Sequence, residues 1–136
     1  MKAYNDITLQ EPEVVIISGA SLTGYGSTCN GVTTAGRWVP EEARFHFNYL
    51  ELKAALFALQ SFQKSLGGKH VRIMMDNTTA IACVSHMGTS HSDACNDITC
   101  KIWEWCSDRD IHLSAAHIPG RYNTGQTTVN RSEVNL

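Results

Sequence analysis

Hydrophobic and polar residues follow one another along this chain in patterns that mark out successive elements. Val14, Val15, Ile16 and Ile17 form a β-branched run, as a strand does, and Gly24 and Gly26 punctuate the stretch after it. Residues 25–30 and 32–39 read as two further strands, joined at Asn30-Gly31, the clearest hairpin signal in the chain. Together they predict a three-stranded antiparallel meander. The stretch NYLELKAALFALQSFQKSLGG (48–68) is the strongest helix pattern. Leu52, Leu56, Leu59 and Leu66 lie on one stripe, with Ala55, Ala58 and Phe62 on a neighbouring one, so its buried face is broad. Gly67-Gly68 stops it. HVRIMMD (70–76) reads as a strand and NTTAIACVSHMG (77–88) as a short helix capped by Asn77 or Thr78. Ser92 can cap a third helix, in which Ala94, Ile98, Ile102 and Trp105 share a face. Residues 111–118 form a last strand, ended by Pro119-Gly120. The order β-β-β-α-β-α-α-β predicts an α/β protein: one mixed sheet with helices packed on it.

Composition narrows the class. At 136 residues, 43% hydrophobic and 18% charged, the chain fits one ordinary globular domain. The segment 13–120 carries the elements, 1–12 reads as a polar N-terminal arm, and 121–136 as a polar tail with almost no apolar anchor. The net charge is −2 and the pI about 6.3, which disfavours strong stand-alone binding to nucleic acid through phosphates. A local basic patch is still compatible with these values. The five cysteines are odd in number and contain no C-x-x-C pair. With no signal peptide in the sequence, they point to free thiols in a reducing intracellular compartment, cytoplasm or nucleus. No apolar run approaches the roughly 18 residues of a membrane span, so no membrane partner is expected.

In open α/β sheets, functional groups gather where strands end and helices begin. Asp76 closes the fourth strand before a helix, Glu51 opens the long helix, and His117 ends the last strand. Each has a plain structural reading. Asp76 can accept backbone N–H bonds at the next helix start, Glu51 lies three residues after Asn48 in a variant capping box, and His117 can be a turn histidine. As a set they suggest a site. Metal-assisted phosphodiester cleavage needs hard oxygen ligands, and two dications roughly 4 Å apart need several carboxylates to hold them. Two carboxylates are a thin supply. Zinc is the competing metal, because His86, His91, Cys95 and Cys100 lie close in sequence. The cysteines lack the paired spacing of zinc sites, so no zinc is expected. Trp38, Trp103 and Trp105 read as packing residues before base-stacking platforms.

The stretches ASLTGYG, NYLELKAALFALQSF, GKHVRIMMDNTTAIACVSHMG, IWEWC and IHLSAAHIPGRYN resemble the ribonuclease H domain of retroelement reverse transcriptases. The likeness is strongest to tyrosine-recombinase, DIRS-like retrotransposons and runs from about 13 to 131 in unbroken order. The resemblance implies a ribonuclease H-like fold, with a mixed five-stranded sheet of order 3-2-1-4-5 flanked by helices. It also implies four carboxylates, Asp, Glu, Asp and Asp, that hold two magnesium ions and cut the RNA strand of an RNA–DNA hybrid. The second falls on Glu51 and the third on Asp76. The first falls on Gly19 and the fourth on Thr127, neither of which carries a carboxylate. The family's loop histidine falls on His117, and the family's last helix is eroded around 121–136. Gly19 is thus a tolerable glycine where a strand leaves the sheet, and by resemblance the place of a lost ligand.

Three readings compete. The first is a catalytically defective ribonuclease H-like domain that keeps a surface for RNA–DNA hybrid or RNA, with Asn48, Asn77 and Thr78 reaching RNA hydroxyls. The second is a weak nuclease that binds magnesium, or better manganese, through Glu51 and Asp76. The third is a protein-interaction or dimerisation module. Oligomeric state is not legible in the sequence.

Overall fold

In a computed structural model, which describes residues 11–86 and 92–118, the chain folds around one five-stranded sheet. The strands are β1 (Val14–Ala20), β2 (Gly24–Cys29), β3 (Val32–Arg37), β4 (His70–Met75) and β5 (His112–His117). The helices are α1 (Pro40–Ala43), α2 (Phe47–Ser61), α3 (Thr78–Ser85) and α4 (Asp93–Asp108). The strand order is β3-β2-β1-β4-β5, as the resemblance implies. Residues 1–10 of the predicted 1–12 arm, Pro119-Gly120 and the tail lie outside the described residues.

The antiparallel half is built by turns. Ser21 Oγ accepts from the backbone N–H groups of Thr23 (3.2 Å) and Gly24 (3.1 Å), folding β1 back into β2. At the next turn Asn30 (φ 52°) and Gly31 (φ 81°) both take left-handed conformations, the type I′ geometry whose twist suits a hairpin. The parallel half arises from alternation. Val14 and Ile16 of β1, Val71, Ile73 and Met75 of β4, and Leu113 of β5 turn to one face and are buried there. Helices α2, α3 and α4 pack on that face, and their residues share one core cluster with these strands.

Helix α2 is shorter than its pattern. It ends at Ser61, and a 3-10 turn over Gln63–Ser65 carries the chain to Leu66, which is fully buried. Leu66 keeps its place on the apolar stripe, so the stripe outlasts the helix. The predicted capping box at Asn48 is also displaced. His46 is the N-cap, its Nδ1 accepting the Asn48 N–H at 3.0 Å, so Asn48 and Glu51 both lie inside the helix. Of the two candidate caps for α3, Asn77 is the one used, its Oδ1 accepting the Ala80 N–H at 2.9 Å. Ser92 caps α4 through Cys95 N–H at 3.2 Å. The buried face of α4 is Cys95, Ile98, Thr99, Ile102 and Cys106, rotated from the predicted one, with Ala94 and Trp105 on its flank.

A smaller cluster closes the other end of the α2–sheet interface. Ala20, Trp38, Leu50 and Ala54 are buried there, with Tyr25 and Phe57 packed against them. Trp38 Nε1 donates to Ser21 O at 2.8 Å, and its ring lies 4.7 Å from that of Tyr25. Trp103 Nε1 donates to Val84 O at 3.0 Å, so both indoles serve the fold.

Candidate functional site

The parallel strands β1, β4 and β5 end together, and their register decides what meets there. Ile17 of β1 is level with Met74 of β4. Carried two residues past its last pair, the same register sets Gly19 of β1 beside Asp76, the residue after β4. Met75 is in turn level with His117 of β5, and Ile118 N–H donates to Met75 O at 2.9 Å. Gly19, Asp76 and His117 therefore lie at the neighbouring ends of the adjacent strands β1, β4 and β5, with Asp76 one residue past β4. This is the edge at which α/β sheets carry their sites.

Glu51 reaches this region from α2, which packs across β1. It lies between Leu50 and Leu52, and all three are fully buried. A carboxyl in an apolar helix face is unfavourable unless polar groups answer it. Its Oε1 accepts no hydrogen bond from the described residues, while the residue is held by other polar contact. Asp76 is half-buried and directly precedes the first turn of α3, whose backbone N–H groups favour negative charge.

A clasp joins the two helix starts. Asn77 Nδ2 donates to Asn48 Oδ1 at 2.9 Å, while Asn77 Oδ1 caps α3. One amide thus fixes α2, one turn before Glu51, to the residue after Asp76. Sequence reasoning places both asparagines beside the site but does not reveal that they bond to each other across 29 positions. Thr78 is exposed at the first turn of α3 and does not cap it. His117 is exposed, with Nδ1 3.0 Å from Ile118 O. A carbonyl only accepts, so in this contact Nδ1 is the donor.

The two-magnesium centre implied by the resemblance does not fit these residues. Glu51 and Asp76 supply two carboxylates, Gly19 supplies none, and Thr127 lies outside the described residues. Among the described residues no three His, Cys, Asp or Glu side chains converge to hold a metal. Of the zinc candidates, Cys95 is buried in the core and Cys100 is exposed, on different faces of α4, and His91 lies outside the described residues.

No protein-family profile and no curated protein sequence matches this chain. Solved structures do. LC11 RNase H1, isolated from compost by a metagenomic approach and solved in complex with an RNA/DNA hybrid, aligns at TM-score 0.69 and 17% identity over 86% of this chain and 93% of its own. RNase H1 from the halophilic archaeon Halobacterium salinarum aligns at 0.66 and 13% identity, over 89% and 96%. The N-terminal RNase H domain of a Mycobacterium tuberculosis protein aligns at 0.60 and 16% identity, over 85% and 94%. The fold is ribonuclease H-like. At these identities the likeness extends to the backbone and not to the chemistry.

Proposed function

We propose that this is a ribonuclease H-like domain of retroelement ancestry that has lost RNA cleavage and keeps a surface for an RNA–DNA hybrid. One observation carries the reading: the β1–β4 register, carried past its last pair at Ile17–Met74, sets Gly19 beside Asp76, which leaves only Asp76 and the buried Glu51 where two-ion cleavage needs a denser negative cluster. Thr127 adds to the deficit, since a hydroxyl is a weak neutral ligand. Removing groups that act as a unit lowers rates by orders of magnitude. Support for the hybrid as partner comes from the fold and from the neighbour solved with one bound. On this reading Asn48, Asn77 and Thr78, which flank Asp76 at the two helix starts, would offer amide and hydroxyl groups to a ribose hydroxyl.

The test is cleavage of a labelled RNA–DNA hybrid, in magnesium and then in manganese, beside a Glu51→Gln control. No cutting above that control is expected. Cutting that Glu51→Gln abolishes would overturn the reading and establish a weak metal-dependent nuclease. Hybrid binding is measured alongside, from low to physiological salt. Affinity that falls steeply with salt supports a retained phosphate-contacting surface, whereas no binding at low salt removes nucleic acid as the partner.

A further inference from the structure

The strand at one end of the sheet is left open. β3 pairs with β2 on one side only, and no described element covers its other side. Natural edge strands are commonly blunted by proline, lysine, bulges or inward charges. β3 reads Val-Thr-Thr-Ala-Gly-Arg and has none of these before Arg37. Apolar side chains sit around it. Val32 at its start is 58% exposed, and beyond its end Val39 is 51% and Leu22 69% exposed. Of the four large exposed hydrophobics among the described residues, only Val15 lies elsewhere.

The backbone of this edge is arranged for pairing. Trp38 N–H donates to Thr23 O at 3.0 Å, and the register runs on through Gly36–Tyr25, Thr34–Ser27 and Val32–Cys29. Antiparallel pairs alternate between bonded and non-bonded. Residues 32, 34 and 36 therefore bond inward to β2, and Thr33, Ala35 and Arg37 point their N–H and C=O groups to the open side. The side chains alternate as well. Val32, Thr34 and Gly36 face α2, as their partners Cys29, Ser27 and Tyr25 do.

On that face lies a groove of about 280 Å³ between β3 and α2, lined by Tyr25, Thr34, Ala35, Phe57, Gln60 and Ser61. Beside it the Tyr25 ring covers Gly36 so closely that even a methyl group there would overlap it. The groove is therefore aromatic-walled, and at Gly36 beside it the Tyr25 ring takes the place of a side chain.

We propose that β3 pairs with β3 of a second copy of this chain, antiparallel across a two-fold axis at Thr34. A dyad perpendicular to the sheet keeps both α2 faces on one side, so each pair must join side chains of the same face. With Thr34 opposite Thr34, Thr33 meets Ala35 of the other copy, and these are residues whose backbone groups already point outward. Val32 meets Gly36. The exposed valine of one copy thus meets the Tyr25 ring that covers the other copy's Gly36, at the wall of its groove. Arg37 falls opposite Gly31, so no like charges meet. A six-residue strand on each side is small beside the roughly 20–30 residues of a standard interface. The dimer is weak, with dissociation in the range of about 10 to several hundred micromolar. This pairing does not depend on the proposed function.

Sedimentation equilibrium of the full chain, from a few micromolar to about one millimolar, reads the association. A concentration-dependent monomer–dimer equilibrium is expected. Val32→Lys, an exposed change that leaves the fold intact by circular dichroism, is expected to weaken the dimer at least about tenfold. In a Cys100→Ser background, Thr34→Cys is expected to form an intermolecular disulfide under mild oxidant, because non-bonded antiparallel pairs bring Cβ atoms close. Thr33→Cys is expected to form none. A chain that stays monomeric at one millimolar overturns the proposal and leaves the edge to an extended segment of another protein. A dimer indifferent to Val32→Lys, or one that crosslinks through Thr33→Cys instead, overturns it as well.

Discussion

The clasp between Asn48 and Asn77 can be weighed directly. Asn77→Ala removes two bonds: the cap to Ala80 N–H and the donation to Asn48 Oδ1, both 2.9 Å. Losing an N-cap side chain costs about 1 kcal/mol, and losing a part-buried neutral hydrogen bond about 1 more. The expected loss is about 2 kcal/mol, or a drop of about 8 °C in Tm for a domain of this size. Asn48→Ala removes only the clasp and should cost about 1 kcal/mol. Once Asn77 is gone, the Asn48 change has little left to remove, so the double variant should also lose about 2 kcal/mol. The coupling is then about 1 kcal/mol. Asn77→Asp separates the two bonds. Its carboxylate still accepts from Ala80 N–H, and negative charge is favourable at the start of α3. It cannot donate to Asn48 Oδ1, and it adds a like charge beside Asp76. The gains and losses nearly offset, so this variant should stay within about 1 kcal/mol of the parent. Urea unfolding of the four proteins of the cycle, with circular dichroism as the signal, gives each value. A coupling below about 0.3 kcal/mol would show that the amide contact does not hold the helix starts together, and the clasp would have no part in positioning the site edge.

Buried groups supply three more tests. Trp38→Phe keeps most of the aromatic packing but leaves Ser21 O without its donor, and should cost about 1–3 kcal/mol in urea unfolding; an unchanged midpoint would show that the indole bond adds nothing to stability. Burial pushes the Cys106 thiol up to about 12, and also raises Cys29, whereas Cys100 is exposed. A disulfide reagent at pH 8 should therefore modify one thiol quickly and the rest at the rate of unfolding, and a second fast thiol would contradict the buried placements. Burial lowers the pKa of His70, with the Arg72 charge acting in the same direction, so the unfolded chain takes up a proton at higher pH than the folded one. Its contribution to stability is complete above about pH 6.5, the ordinary histidine value, and falls as pH drops toward the lowered folded value. His70→Gln should flatten that slope, and a parent slope of opposite sign would refute the assignment.

How much the sequence discloses depends on how local the cause is. The hairpin is legible because Asn30 and Gly31 alone satisfy its two left-handed positions. The strand order is legible only through resemblance, since nothing in Val14–Ile17 or residues 70–75 says which neighbours they take. The end of α2 is obscured because Leu66 continues the apolar stripe from beyond a 3-10 turn. The buried face of α4 is misread because Cys95 and Cys106, left out of the predicted stripe, are core residues, while the larger Trp105 lies on the flank. There the Arg109 guanidinium covers its ring at 4.2 Å. Helix α1 spans four residues, too few to show a period. His46 as a cap and the Asn48–Asn77 bond escape for one shared reason: each needs the fold to bring the partner into place.

The same distinction explains how a site of this kind can lose its chemistry and keep its architecture. The strand ends around Asp76 are held by backbone ladders, by the Asn77 cap and by an amide–amide bond, none of which uses a metal or an added carboxylate. In a domain folded by its metal, loss of a ligand removes stability at once. Here Gly19 sits in a paired position, level with Gly26 on β2, and the β1–β2 ladder runs through it unbroken. A glycine inside a strand weakens it only slightly. On the proposed reading, the first carboxylate was therefore removable at little structural cost. Glu51 is not. It is fully buried on the helix that packs on the sheet, where a residue of different shape would leave a cavity or a clash. On the proposed reading, the remaining buried carboxylate is therefore the one whose replacement by a residue of another shape would cost the fold most.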